Sequence, residues 1–262
     1  MSAVLLGGLP ALAQDYEKPR GTGRGCIHTE QPANSPITKT ASGGINTAFY
    51  AGATEEYAHG VLGDAIEAKT IVINLPDRAG YCDQIHAAEN TVFEDVAPRL
   101  ADVTGDGQNE VIVVNSHAKY GARLAIYGYP AKGEDITLIA TTPYIGRPFR
   151  WLAPIGIADF NADGHIDIAY IDRPHLAKTL RIWTFKDNKL TETANITGLS
   201  NHRIGENFIS GGVRTCNDTP EMITADATWK RIIATRFENG KLTKTDIGPY
   251  KNKRSFNHAL GC

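Results

Sequence analysis

Long apolar runs are missing from this sequence. No stretch approaches the roughly 18 residues that a membrane-spanning helix needs, so a soluble mature protein without a membrane span is expected. A surplus of one charge is missing too. Lys and Arg number 27 against 29 Asp and Glu, a net charge of −2, and this balance argues by bulk electrostatics against nucleic acid or an anionic lipid surface as partner. Cysteine is sparse: Cys26, Cys82, Cys216 and Cys262 lie far apart with no CxxC pair, against a zinc site or a redox motif. Sustained 3.6-residue periodicity is scarce, which excludes a helical bundle. No GxSxG, HExxH or P-loop occurs, and the one Gly-rich stretch, residues 21–25, sits in a polar arm without a strand before it or a helix behind it.

What the chain does have is a hydrophobic content of 42%, enough for a sizeable core. Residues 3–13 read AVLLGGLPALA, a short apolar run ending in a small-x-small triplet, the form of a secretory cleavage site without its basic start. Residues 1–13 are therefore expected to be the remnant of a signal peptide and residues 14–44 a polar arm. The remainder, 45–262, forms a single domain. Export to a periplasmic or secreted location fits two disulfides. Three pairings are possible, one of which, Cys26 with Cys262, would latch the two ends of the domain together.

From about Ile45 the chain reads as short β-branched and aromatic runs bounded by turn residues. Examples are Lys69 to Leu75, Glu110 to Val114, Leu124 to Tyr129, Asp167 to Asp172, Leu180 to Phe185 and Arg231 to Phe237. These runs repeat. Residues 102–110 (DVTGDGQNE) match 159–167 (DFNADGHID) position for position, 57 residues apart; KLTET at 189 returns as KLTKT at 241, and NHRIG at 201 as NHALG at 257. A period in the fifties with about four strands per unit is the signature of propeller blades. Unit starts near 57, 97, 151, 202 and 257 predict an all-β, five-bladed propeller. Its last blade opens at the C-terminus and is completed by strands around residues 26–50.

The two nine-residue segments carry the chemistry. Asp102, Thr104, Asp106 and Glu110 in the first, and Asp159, Asn161, Asp163 and Asp167 in the second, place oxygen-bearing side chains at positions 1, 3, 5 and 9. A Gly stands at position 6, and Gln108 or His165 can offer a backbone carbonyl at position 7. Hard oxygen ligands converging on a tight turn suit calcium, and two Ca2+ sites are expected. A β-strand follows at once, unlike the helix of an EF-hand. The segments resemble the calcium loops of FG-GAP/VCBS-type repeats, the blades of integrin α-chain propellers and of many secreted bacterial proteins. That resemblance implies a calcium-stabilised propeller. The third equivalent, near 213–221, has lost its carboxylates, and the one before Glu67 is reduced to HGVLGD at 59–64.

In a propeller the first strand of each blade faces the central channel. His59, Arg99, Arg150 with Trp151, His202 with Arg203, and His258 are placed there by the alignment. His117, Lys119, Arg173 and His175 lie in loops after second strands. Such a funnel suits a small anionic molecule, a carbohydrate or a protein partner. The leading expectation is a binding module using Arg150, Trp151, Arg173, His175, His202, Arg203 and His258. The alternative is a periplasmic hydrolase or lyase with His202 or His175 as general base and Arg150 or Arg173 steadying negative charge.

Overall fold

The computed structural model describes residues 35–75, 82–130 and 135–262, with the backbone of 16–17. The expected signal segment and most of the polar arm, Cys26 included, lie outside these residues. The fold is all-β. Each β-branched run named above becomes a strand or the body of one, because alternate residues bury against neighbouring sheets while Gly, Asn and Asp turn the chain between them.

Among the described residues, nineteen strands and one helix follow in order: β1 (Tyr16–Glu17), β2 (Ile37–Lys39), β3 (Thr47–Thr54), β4 (Glu67–Asn74), β5 (Cys82–His86), β6 (Thr91–Phe93), β7 (Arg99–Ala101), β8 (Glu110–His117), β9 (Gly121–Gly128), β10 (Thr137–Thr141), β11 (Leu152–Ala158), β12 (Asp167–Asp172), β13 (Thr179–Lys186), β14 (Lys189–Thr197), β15 (Leu199–Ser200), β16 (Gly212–Cys216), β17 (Thr219–Asp226), β18 (Arg231–Glu238), β19 (Lys241–Pro249) and α1 (Arg254–Ala259). They pair antiparallel throughout. β11 to β14 form one four-stranded meander and β15 to β19 a five-stranded sheet. β1 to β10 form a third sheet, in which β6 pairs with both β4 and β8.

A four-strand unit recurs within these sheets. In three units the last residue of the opening strand faces an acid that starts the next strand: Thr54 opposite Glu67, Ala101 opposite Glu110, and Ala158 opposite Asp167. In the fourth, Arg214 of β16 faces Glu221 of β17. The opening strand is continuous in β3 and β11 but broken in the other two units. β6 and β7 share β8 across a gap at 94–98, and β15 and β16 share β17 across a gap at 201–211. The core lies between the sheets, with Ile112, Leu124, Ile126, Trp151, Ile168 and Trp183 in its largest cluster.

Two expectations change here. The segment expected to open a fifth blade, around Asn257 and His258, is the helix α1. NHALG contains no β-branched residue, and Phe256 and Leu260, four apart, put one apolar face against Trp229 and Tyr250. Cys262 then reaches the end of β16, where it is bonded to Cys216, 46 residues away. The latch between Cys26 and Cys262 is thereby excluded, as is a bridge between Cys82 and Cys216. Cys82 is also disulfide-bonded.

Candidate functional site

Both oxygen-rich segments are tight loops joining an opening strand to its neighbour, and their carboxylates fold inward onto backbone amides. In the first, Asp102 accepts from the N–H groups of Gly105 (2.7 Å) and Gly107 (2.9 Å), and Asp106 accepts from that of Gln108 (2.7 Å). Glu110 accepts from the amides of Val103 (2.8 Å) and Thr104 (3.2 Å) and from the Thr104 hydroxyl (3.2 Å). The second repeats the scheme. Asp159 accepts from the amides of Asp163 (3.1 Å) and Gly164 (2.9 Å), and Asp163 from that of His165 (2.9 Å). Asn161 Oδ1 accepts from the Asp163 amide, and Asn161 Nδ2 donates to the Asp163 carboxylate. Asp167 accepts from the Phe160 amide (3.1 Å) and the Thr184 hydroxyl (2.5 Å). Gly107 and Gly164, at φ +86° and +85°, make the turn that position 6 requires.

Crowding shows in the titration of these acids. Burial, with repulsion from Asp106 and Asp102 added, outweighs the loop amides and pushes Glu110 up to about 7. Burial, with Asp163 and Asp159 adding to it, pushes Asp167 up to about 6. Asp163 goes the other way, since the His165 amide and the Asn161 side chain outweigh its slight burial.

This part of the chain is similar to a known family. Residues 102–170 match the family model of the FG-GAP-like repeat. No curated protein matches the chain in sequence. The matched residues run from the first oxygen-rich loop through β12 and so contain both loops.

A second polar centre lies where four loops touch in turn. The Tyr57 hydroxyl accepts from the Phe149 amide (2.8 Å), and the Arg173 amide donates to the Trp151 carbonyl (3.0 Å). His175 meets His202, and the Gly205 amide donates to the Val61 carbonyl (3.1 Å), returning to the first loop. In their midst are buried acids drawn from the gap between β6 and β7. Glu94, fully buried, is bonded by His59 Nδ1 and by the Ser116 hydroxyl. Asp95 is ion-paired with Arg99 and accepts from the Val96 amide. The Trp151 indole N–H donates to the Glu94 carbonyl (2.8 Å).

The expected channel residues divide. His59, Arg99, Trp151 and His202 do come together at this centre, but Arg99, Trp151 and His202 are buried and support it from beneath. His202 Nε2 donates to the Glu206 carbonyl (2.8 Å), so its Nδ1 accepts from His175 Nε2 (3.0 Å) and the unprotonated nitrogen of His175 is Nδ1. Burial lowers both imidazoles, His175 to about 4 with repulsion from His202 added. Arg173 is held bidentately by Asp172 at 2.7 and 2.8 Å. Arg203 lies over the rings of Trp229 (4.3 Å) and Tyr250 (4.9 Å). Arg150 bonds the carbonyl of Phe149. His117 packs against Tyr120 and Tyr144, and its Nδ1 accepts from the Lys119 amide. His258 is apart from all of these, exposed on α1.

Sequence reasoning missed Glu94, Asp95 and Asn109. The first two sit in EDVAP, where the break in the strand pattern was the available signal. Asn109 donates to Thr40 Oγ1 (3.1 Å) and to the carbonyls of Ser42 (2.6 Å) and Ile45 (3.0 Å), fastening the first loop to the segment before β3.

Proposed function

We propose that this chain is an exported, calcium-stabilised propeller whose repeat units are blades, and that it binds a ligand where their loops meet. The observation that carries this reading is the second loop repeating the first in register, residue by residue, within the matched repeat. Each loop would hold one Ca2+ through its position 1, 3, 5 and 9 side chains, with Gln108 and His165 giving carbonyls. The ion would offset the burial, and the added repulsion between neighbouring carboxylates, that raise Glu110 and Asp167 above the usual carboxylate range. The bond between Cys216 and Cys262, with Cys82 also oxidised, supports an oxidising compartment.

The ligand surface is built on Arg150, Arg173, His175 and Arg203, with Phe149, Leu176 and Ile204 exposed beside them. The guanidiniums of exposed Arg203 and half-buried Arg150 and Arg173, next to apolar side chains, suit an anionic small molecule, an acidic sugar or an acidic partner protein. A hydrolase or lyase reading fits less well. At about 4 His175 takes up protons poorly near neutral pH. Calcium titration by calorimetry tests the proposal. Wild-type protein should bind calcium at both loops, and the D106N and D163N variants should each lose one equivalent; unchanged stoichiometry in both variants overturns it.

A further inference from the structure

The four repeat units each bury one acid at the same place, opposite or near the end of the opening strand. Glu67, Glu110, Asp167 and Glu221 are all at most 4% exposed. A carboxylate so placed needs donors or a cation. Glu110 and Asp167 have loop amides and hydroxyls. Glu221 has two guanidiniums, Arg214 at 2.6 Å and Arg236 at 2.5 Å. Glu67 makes no side-chain hydrogen bond or ion pair among the described residues.

The surroundings of Glu67 aggravate this. Its side chain faces a cavity of about 40 Å³ also lined by Ser35, Asp64, Phe93, Asp95 and Asn207. The Ser35 hydroxyl, in a residue 7% exposed, is likewise without a partner among the described residues. Burial and then repulsion from Glu94, Asp64 and Asp95 push Glu67 up to about 10. Arg99 answers Asp95 and His59 answers Glu94. Nothing among the described residues answers Glu67.

We propose that this cavity is a third cation site, anchored by Glu67 and Ser35 and taking a hard divalent ion of the calcium or magnesium type. The polar lining is carboxylate, hydroxyl and amide, the donor set such ions prefer. Among the described residues no three acids, histidines or cysteines stand close enough to hold a metal unaided, so the ion keeps part of its water. A cavity of about 40 Å³ has room for an ion with two or three waters, at roughly 10–15 Å³ each. The unit with Arg214 carries its own cation at the equivalent acid; the Glu67 unit takes one from solution.

Equilibrium dialysis against calcium alone, and separately magnesium alone, tests this with wild-type protein and the isosteric variant E67Q. E67Q should bind one equivalent fewer and, in EDTA, melt no lower than wild type, because its buried group no longer needs neutralising. S35A keeps the carboxylate and should weaken that same equivalent about tenfold. Equal ion counts in wild type and E67Q with both metals, or an unchanged affinity in S35A, overturn the proposal, and Glu67 is then simply a protonated core acid. The comparison is a difference between two proteins with identical loops, so it stands whether or not the loops themselves bind calcium.

Discussion

Single side chains here act mostly by supplying or withholding charge in buried places. His175 and His202 are held below their ordinary value by burial, with His202, His59 and Lys178 adding repulsion at His175. The sign follows from proton counting. Between the unfolded value of about 6.5 and the folded value, the unfolded chain binds more protons, so stability falls as pH drops through that window. Denaturation followed from pH 7 to pH 4.5 should show this loss, and H175Q should flatten it. Glu221 responds at lower pH. Burial opposes its ionisation, but Arg236 and Arg214 outweigh burial and hold it below the usual carboxylate range. Its contribution is present above that range and lost as pH falls through the folded value. E221Q should cost roughly 1–3 kcal/mol near neutral pH, read from urea midpoints, with the cost shrinking in acid.

Elements obey the same forces at a larger grain. The strands were legible because runs such as EVIVV and DIAYID are β-branched and bounded by Asp, Asn and Gly. The loops were legible because oxygen side chains at alternate positions around a Gly specify a tight turn lined with carboxylates. The breaks in the opening strands were not, since 94–98 and 201–211 read as ordinary connections and their role emerges when β6 and β7, or β15 and β16, align on one neighbour. Nor was α1, because NHALG copies the letters of NHRIG while Phe256 gives it a different burial partner. Its anchor can be measured. The Cys216 to Cys262 bond closes a segment of 46 residues, for which chain entropy gives about 4 kcal/mol as an upper figure. C262A should therefore lower stability by a few kcal/mol and free α1 from β17, seen as faster amide exchange around Phe256. Gly211 is a second test. At φ +80° a Cβ there would stand 2.0 Å from the Ile223 carbonyl, so G211A should destabilise by about 2 kcal/mol or more by displacing the start of β16 from β17.

At the scale of the whole molecule, three antiparallel sheets are held by shared apolar clusters and by loops that touch one another in turn. Cation binding confined to the folded form stabilises by mass action, about 2.7 kcal/mol at a hundredfold excess over the dissociation constant. Under the proposed function, calcium should raise the melting temperature of the entire domain in one transition and EDTA should reverse it. A melting curve indifferent to both would show that calcium plays no part in stability. The bonds from Asn109 to Thr40, Ser42 and Ile45 couple the first loop to chain far upstream. Whatever tightens or slackens that loop is felt by the lead-in to β3, and the rate at which a protease clips residues 40–45 becomes a remote gauge of what the loop is holding.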